Sequence, residues 1–319
     1  MIDVVALGEL LIDFATLQTD GEGYPTMAAH PGGAPANFLA ALTKFGANTA
    51  LVGKVGSDTF GRLLLGTLQK AGIETRGMVV TDEVFTTLAF VTFDDHGDRE
   101  FAFSRKPGAD TCLSFDEIDL SLIDEARVFH FGTLSLTDEP ARSATYQAVA
   151  YAREKGKLIT YDPNLRKPLW RDLEEARKQL LWGLGQADVV KISDEEVEFL
   201  FGLDVEEGAA HILKNFGVKL VFVTCGADGC FFKSARAEGH VPSLSGIHVI
   251  DTTGAGDIFG GSAVWKLLQT GKAPEALTEG ELREIVTFAC TAAGLSTTRS
   301  GGISSVPEYE EVLGRLKVN

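Results

Sequence analysis

Residues 251–257, DTTGAGD, have types and spacing that could carry out chemistry on a phosphate. Gly254 and Gly256 let the backbone approach a ligand where a side chain would clash. A turn of this kind before a helix directs several N–H groups to one point and predicts an anion site. Asp257 follows in the first turn of the helix, where its carboxylate could take a proton from a hydroxyl group that attacks the phosphate. The alternative is that Asp257 only complements the helix dipole and that the glycines only form a turn.

The neighbouring elements must hold this stretch at the end of a strand. The apolar run at 247–250, IHVI, predicts a strand that leads into the turn. After the turn, Ile258, Ala263 and Leu267 recur at helical spacing, and Gly271 is the predicted C-terminal cap. The sequence therefore predicts strand, turn and helix in direct succession.

The motif DTTGAGD resembles the second signature of the PfkB/ribokinase family of sugar kinases. The resemblance implies that Gly254, Ala255 and Gly256 form the anion hole of a kinase. It also implies that Asp257 is the catalytic base, with ATP as the phosphoryl donor and Mg²⁺ as its companion ion.

A second Gly-rich region lies near the start of the chain. Residues 31–37, PGGAPAN, place Gly32 and Gly33 before a predicted helix that carries Asn37. The spacing G-x6-G-x2-G-x-D-x2-G follows, at Gly46, Gly53, Gly56, Asp58 and Gly61. Together these motifs resemble the first signature of the same family, which implies that Gly32, Gly33 and Asn37 bind sugar hydroxyls.

Asp13 interrupts an apolar run after the first predicted strand at 4–7. We expect it at a strand end, where it could form a turn or, at the carboxyl edge of a sheet, bind hydroxyls. The family resemblance implies the second role, as a ligand of the sugar.

Two apolar segments at 86–93 and 100–103 flank a predicted hairpin turn at 94–98. With the polar segment 16–30 they predict a small separate sheet. In the family such a sheet is a lid over the sugar and often the contact of a homodimer, so we define the lid as roughly residues 14–32 and 86–106. Arg105 lies at its edge. A surface charge is one interpretation, but the pattern FxFxRxxGAD resembles fructokinases, in which this arginine reaches the substrate.

From about residue 127 strands and helices alternate regularly, as in a parallel sheet with crossover helices. The strand at 158–161 ends in YDPNLRKPLW, where prolines prevent a simple helix start and polar side chains are displayed. This segment also resembles fructokinases, which implies that Asp162, Asn164 and Arg166 bind the substrate.

The nucleotide side is predicted from the following elements. Ser193 and Glu196 form the S-x-x-E pattern of a capping box; the family alternative is that Glu196 orders Mg²⁺ through water. The resemblance extends to a nucleotide-binding turn and to a helix at 281–297 whose small residues would open a slot for adenine. The predicted nucleotide-binding residues are Lys191, Ser193, Glu196, Thr224, Gly226, Gly229, Ala289, Ala292 and Ala293. Asp251, Thr253 and Ser305 resemble the monovalent-cation site of some members, which adds K⁺ as an expected ion.

The composition argues against several other classes of protein. The 319 residues include 29 basic and 45 acidic side chains, a formal net charge of −16, so we expect no nucleic acid and no anionic membrane as partner. The segment at the N-terminus lacks the basic region of a signal peptide. The four cysteines are scattered without a CxxC pair. We expect a cytoplasmic protein.

The sequence therefore predicts an α/β fold, a three-layer αβα sandwich around a mostly parallel sheet with a small β-sheet lid, as one domain over residues 1–319. The predicted function is ATP-dependent phosphorylation of the primary hydroxyl of a ketose, with fructose as the substrate. Two alternatives remain open. One is a 2-keto-3-deoxygluconate kinase or ribokinase, and the other is a non-catalytic protein that binds sugar or nucleotide on the same fold.

Overall fold

The computed structural model describes residues 1–93 and 99–317, so the hairpin turn predicted at 94–98 lies outside the described residues. The strands are β1 Ile2–Leu7, β2 Leu11–Thr19, β3 Pro25–Gly32, β4 Thr49–Gly56, β5 Met78–Thr81, β6 Leu88–Phe93, β7 Arg99–Ser104, β8 Ala126–Gly132, β9 Leu158–Asp162, β10 Val189–Ser193, β11 Leu220–Thr224, β12 Cys230–Ser234 and β13 Glu238–Val241. The helices are α1 Ala34–Lys44, α2 Thr59–Ala71, α3 Leu120–Glu125, α4 Ala141–Glu154, α5 Leu173–Leu184, α6 Asp194–Phe201, α7 Val205–Phe216, α8 Ala255–Thr270, α9 Glu279–Ser296 and α10 Tyr309–Leu316.

The larger sheet has nine strands in the order β13-β12-β11-β10-β9-β8-β1-β4-β5. The strands from β11 to β5 are parallel, and β12 and β13 add an antiparallel edge. Parallel strands are buried on both faces, and β1 is an example. Val5 and Leu7 enter one core and Val4 and Ala6 the other, because successive side chains alternate across a strand.

Helices cover both faces of this sheet. Helices α3 to α7 pack on one face around the core that contains Phe129, Phe131 and Tyr161. Helices α1, α2, α8, α9 and α10 pack on the other. This arrangement confirms the predicted αβα sandwich.

Strands of the lid form a separate four-stranded sheet in the order β3-β2-β6-β7. The β2–β3 and β6–β7 pairs are antiparallel, and β2 and β6 are parallel. The predicted small sheet is therefore confirmed. Asp58 connects it to the large sheet, because its side chain caps α2 by accepting from the N–H groups of Phe60 and Gly61, and also accepts from Thr86 N at 2.8 Å, where the chain enters the lid.

One predicted strand is wrong. The segment 247–250 is not a strand. Val249 and Ile250 are 52% and 58% exposed, and the N–H groups of Ile250 and Asp251 donate to Thr297 O at the end of α9. The edge of the sheet beyond β11 is already occupied by β12 and β13. The helix predicted at 281–297 forms as α9, and α10 follows it, with Val312 fully buried in the same core as α1, α2 and α8.

Helix α8 lies close against α1 because glycine occupies the contact. A Cβ atom on Gly261 would overlap the backbone oxygen of Phe38. This close packing brings the first turns of the two helices together at the carboxyl edge of the large sheet, where Asn37 and Asp257 meet.

Candidate active site

The carboxyl ends of the central strands and the N-termini of α1 and α8 converge in one crevice. In the large sheet β1 and β8 are neighbours. From β1 the chain adds β4 and β5 towards one edge, and from β8 it adds β9 and the later strands towards the other edge. The order therefore reverses between β1 and β8, and open α/β sheets bind ligands in the crevice at such a switch point. A cavity there is lined by Glu9, His130, Asp162, Asn164 and Asp257, among others.

Asp257 and Asn37 form a buried pair across the two helix N-termini. Asn37 Nδ2 donates to Asp257 Oδ2 at 2.9 Å, and Asp257 is only 8% exposed. Burial raises the pKa of Asp257, although the hydrogen bond from Asn37 and the charge of Lys191 lower it. Asn37 Oδ1 is a buried acceptor without a hydrogen-bond partner. A buried acceptor of this kind is costly unless it is satisfied, and a donor hydroxyl of a ligand would satisfy it.

The glycine turn before α8 has the geometry of an anion cradle. Gly254 is the N-cap of α8 at φ 75°, in the left-handed region that favours glycine. A Cβ atom on Gly254 would lie 3.1 Å from both Asn37 Nδ2 and Gly302 Cα, so a side chain would crowd the site. Ala255 N donates to Thr252 O at 3.2 Å, and the remaining N–H groups of the helix N-terminus attract an anion.

Lys191 supplies the cation beside this cradle. A Cβ atom on Gly256 would lie 3.0 Å from Lys191 Nζ, so the ammonium group faces the turn. Lys191 Nζ lies 3.1 Å from Asp162 Oδ2, and both side chains are nearly buried. Burial raises the pKa of Asp162 to about 7 against the opposing effect of Lys191. Asp162 is therefore the ion-pair partner of Lys191 in this conformation.

The structure places Asp13 differently from the prediction. It does not lie at the end of a strand but within β2, at the base of the lid, where it is paired with His30 and its carboxylate lies against Gly32. A Cβ atom on Gly32 would overlap Asp13 Oδ2, which explains the glycine. Burial raises the pKa of Asp13 to about 6, and the charge of Arg166 lowers it. Arg166 is exposed, and its charge lowers the pKa of Asp257 as well, so it acts on both carboxylates.

Two residues that sequence reasoning missed also line the cavity. Glu9 is buried and its Oε1 accepts from Ala34 N, the first residue of α1, at 2.8 Å; burial raises the pKa of Glu9 to about 7. His130 stacks on Phe38 with ring centroids 3.7 Å apart, and burial lowers its pKa to about 3, so it is neutral. The only sequence signals were that Glu9 follows the first strand and that His130 interrupts an apolar one.

Arg105 is not a surface charge, because it is only 4% exposed. Its Nε donates to Asp110 Oδ2 at 2.8 Å, Nη1 donates to Thr137 Oγ1 at 2.7 Å, and Nη2 donates to Leu134 O at 2.7 Å. The guanidinium group therefore lies behind Leu134, which lines the cavity. Contact between Arg105 and the substrate stays a prediction.

The capping box at the start of α6 is present. Ser193 Oγ accepts from Glu196 N at 3.2 Å, and Glu196 Oε2 accepts from Ser193 N at 2.9 Å. The other carboxylate oxygen, Oε1, accepts from Leu165 N at 2.7 Å. The alternative that Glu196 orders Mg²⁺ stays a prediction, and in this conformation both oxygens already accept backbone N–H groups.

The predicted nucleotide turn and slot are only partly as expected. Thr224 ends β11, Gly226 begins the turn at φ 53°, and Gly229 closes it at φ 103°. A Cβ atom on Gly226 would meet nothing within 4 Å, so this side of the turn is open. Ala289 and Ala292 are fully buried in the core. In this conformation their methyl groups serve close packing, and of the three alanines only Ala293 borders accessible space, so contact of Ala289 and Ala292 with adenine stays a prediction.

The three residues of the predicted cation site lie around one turn. Asp251 Oδ1 accepts from Thr253 N and Thr253 Oγ1, and Asp251 Oδ2 accepts from Gly301 N at 3.0 Å. Ser305 is fully buried and its Oγ donates to Gly302 O at 2.8 Å. The site thus joins the glycine turn to the 300–305 segment.

The described residues fit a nucleotide with Mg²⁺. The N-terminus of α8 and the Lys191 ammonium provide positive potential for phosphates. No group of three or more His, Cys, Asp or Glu side chains that could hold a metal occurs within residues 1–93 and 99–317. Mg²⁺ retains several waters and binds through one or two carboxylates plus the phosphates of a nucleotide. Among the same residues no helix is long and apolar enough to cross a membrane.

The sequence and the structure both match known proteins over nearly their whole length. The profile of the pfkB family carbohydrate kinases matches residues 1–309. The chain is similar to Fructokinase-1 of Zea mays, with 43% identity over 314 residues, a match that covers 97% of this chain and 96% of that protein.

Solved structures also match this chain over nearly its whole length. The fructokinase of Xylella fastidiosa with bound ATP has a TM-score of 0.91 at 30% identity and covers 100% of this chain and 99% of its own. A double mutant of the fructokinase of Vibrio cholerae O395, in fructose, ADP and potassium ion bound form, has a TM-score of 0.87 at 30% identity and covers 99% and 98%.

Proposed function

The chain belongs to the PfkB family of carbohydrate kinases, and from this premise we propose that it transfers the γ-phosphoryl group of ATP to the 6-hydroxyl of D-fructose. It is a phosphotransferase that acts on a sugar hydroxyl. The observation that carries the proposal is the buried Asp257 carboxylate at the N-terminal turn of α8, beside an anion cradle and hydrogen-bonded to Asn37. The similarity to fructokinases over nearly the full chain supports fructose as the sugar.

The residues of the site have distinct roles in this reaction. Asp257 accepts the proton of the attacking hydroxyl, and Asn37 holds the carboxylate oxygen in place. The N–H groups of the turn Gly254, Ala255 and Gly256, with the Lys191 ammonium, hold the charge on the transferred group. Mg²⁺, when bound with ATP, neutralises phosphate charge. This division makes the helix N-terminus the phosphate side of the site.

The sugar side is formed by the base of the lid and the loop after β9. Asp13, Gly32, Gly33 and Asn37 present acceptors and an open backbone, and Asn164 lines the cavity. Arg166 and Asp162 complete the proposed set. A sugar offers hydroxyls in several directions, and a ring of carboxylates and amides matches that pattern. Thr224, Gly226, Gly229 and Ala293 are the proposed contacts of the nucleotide, with Ser193 at the start of α6.

Fructose should give the highest kcat/KM among fructose, ribose, 2-keto-3-deoxygluconate and adenosine. A coupled assay of ADP formation across these four acceptors measures it. The 2-keto-3-deoxygluconate carboxylate would need a further cation, because Arg105 is already paired with Asp110 and the charge of Arg166 already acts on Asp13 and Asp257. A preference for that acid of at least tenfold, about 1.4 kcal/mol in barrier height, would show that the substrate is assigned wrongly.

A higher fructose KM in Arg105→Lys would support contact of that residue with the sugar.

We also propose K⁺ activation through Asp251, Thr253 and Ser305. The support is that these residues fix the turn that leads into α8, and that a related fructokinase is described in a potassium-bound form. Exchange of K⁺ for tetramethylammonium at constant ionic strength should lower kcat several-fold. Equal rates in the two salts would remove the cation from the mechanism.

The whole chain is proposed to be one kinase domain whose lid also forms a homodimer contact. Leu17 and Tyr24 in the lid are 65% and 67% exposed, which is high for large apolar side chains. Sedimentation velocity should give a dimer, and Leu17→Asp should shift it to a monomer; a monomeric wild type would contradict the contact.

The four free cysteines support a reducing compartment, and we propose the cytoplasm, which cell fractionation can test.

A further inference from the structure

The loop that follows β9 is held at two points on either side of Asn164. Before it, Pro163 O accepts from Thr133 N at 3.3 Å and from Thr133 Oγ1. After it, Leu165 N donates to Glu196 Oε1 at 2.7 Å. Asn164 itself has φ 46°, the only left-handed residue other than glycine in the described part of the chain. This conformation is disfavoured for a residue with a side chain and persists only where the surroundings hold it.

Glu196 is built to hold this loop. It is 7% exposed, its backbone is fixed in the first turn of α6, and Oε2 accepts from Ser193 N at 2.9 Å. The carboxylate therefore bridges two separate backbone segments, one after β9 and one after β10. Hydrogen bonds to a charged acceptor are stronger than neutral ones, so the link to Leu165 is a strong one.

We propose that Glu196 is a positioning residue for the sugar side of the site, acting through Leu165 N to present Asn164 and Arg166. Asn164 lines the cavity with Asp257. The charge of Arg166 acts on Asp13 and Asp257, whose pKa values it lowers. The inference rests on the proposed function for the identity of the sugar, but the link itself does not depend on metal or nucleotide.

The direct test measures amide hydrogen exchange of the 163–167 segment by mass spectrometry, without any ligand. In Glu196→Ala this segment should exchange at least tenfold faster than in the wild type, while strand β9 serves as the internal reference. Ser193→Ala is the matched control, because it removes the hydroxyl of the same capping box and leaves the Glu196 to Leu165 link in place. Its 163–167 segment should exchange as in the wild type.

The second measurement is fructose binding by calorimetry with neither Mg²⁺ nor nucleotide. Loss of the link should weaken binding about tenfold in Glu196→Ala, as expected for one charge-assisted hydrogen bond, and leave Ser193→Ala unaffected. A residue that acted only on Mg²⁺ would change neither measurement. Unchanged exchange, or unchanged metal-free binding together with an altered Mg²⁺ requirement, would overturn the proposal.

Two further outcomes are decided by the same design. If Glu196→Ala does not fold, Glu196→Gln keeps one neutral acceptor for two N–H groups and should show a smaller rise in exchange at 163–167; wild-type exchange there would overturn the link. If the wild type does not bind fructose, the proposed sugar is wrong. The exchange data then still decide whether Glu196 holds the loop.

Discussion

Replacing Asp257 by asparagine should lower kcat by about 10²–10⁴-fold, the usual cost of removing a general base, and leave the protein folded. Asparagine keeps the shape of the side chain, and its amide oxygen can still accept from Asn37 Nδ2, which lies 2.9 Å from Asp257 Oδ2. The substitution removes only the basicity. Steady-state kinetics with saturating fructose and ATP measure the effect.

Stability in the same variant separates catalysis from a structural role. Burial raises the pKa of Asp257 above its value in the unfolded chain. The folded state therefore holds the proton more tightly, and this contribution to stability is lost as pH rises through the folded pKa. A neutral amide avoids this loss, so Asp257→Asn should be at least as stable as the wild type at pH 8. If Asp257 only complemented the helix dipole, the variant would lose about 0.3–1 kcal/mol of stability and keep its kcat. Near-wild-type turnover in a stable variant would exclude the catalytic base.

The parts of the site predicted from sequence are those whose local chemistry is unusual. Gly254 and Gly32 are needed because a Cβ atom would crowd Asn37 or overlap Asp13, and a Cβ atom on Gly256 or Gly33 would crowd Lys191 Nζ or overlap Glu9 O. Steric requirements of this kind fix the residue type at neighbouring positions, so they are visible as a motif in a short stretch of sequence. The helix after the turn was also predictable, because its apolar spacing and the left-handed cap at Gly271 are local signals.

The parts that escaped prediction depend on contacts between distant segments. The run IHVI has the composition of a strand, but the edge of the sheet is filled by β12 and β13, and the run lies instead against the end of α9. Arg105 is buried because Asp110, Thr137 and Leu134 surround it, and no feature near Arg105 reveals Thr137 or Leu134. The link from Glu196 to Leu165 spans 31 residues and is hidden behind a capping box that explains Glu196 locally.

Lys191→Met should reduce both activity and stability, for different reasons. The ammonium group faces the cradle at Gly256, so its loss should lower kcat/KM by about 10²–10³-fold, as for one preorganised charge-stabilising donor. It also leaves the buried Asp162 carboxylate without its partner at 3.1 Å. Breaking a buried pair by removing one member costs about 3–5 kcal/mol when the other stays charged.

The stability loss in Lys191→Met should grow with pH. Burial already raises the pKa of Asp162 to about 7, and Lys191 opposes that rise. Without Lys191 the pKa of Asp162 moves higher, so at pH 6 the carboxyl group is protonated and the cost is small. A carboxyl group with a raised folded pKa loses its stabilising contribution as pH rises through that pKa. Urea denaturation of wild type and variant should therefore diverge between pH 6 and 9.

Two companion variants separate the structural and the catalytic contribution of Lys191. The double variant Lys191→Met with Asp162→Asn removes the unpaired carboxylate, so it should regain stability at pH 9. Its kcat should stay as low as that of Lys191→Met, because the cation beside the cradle is still missing and Asp162 belongs to the proposed sugar side. Lys219→Met is the matched control: Lys219 lies at the same 3.1 Å from Asp188, but in a pair that is partly exposed. That pair should contribute only about 0–1 kcal/mol, with no effect on kcat. Recovery of activity in the double variant would show that Lys191 serves only to neutralise Asp162. The proposed role of the Lys191 ammonium in stabilising the transferred phosphoryl group would then be wrong.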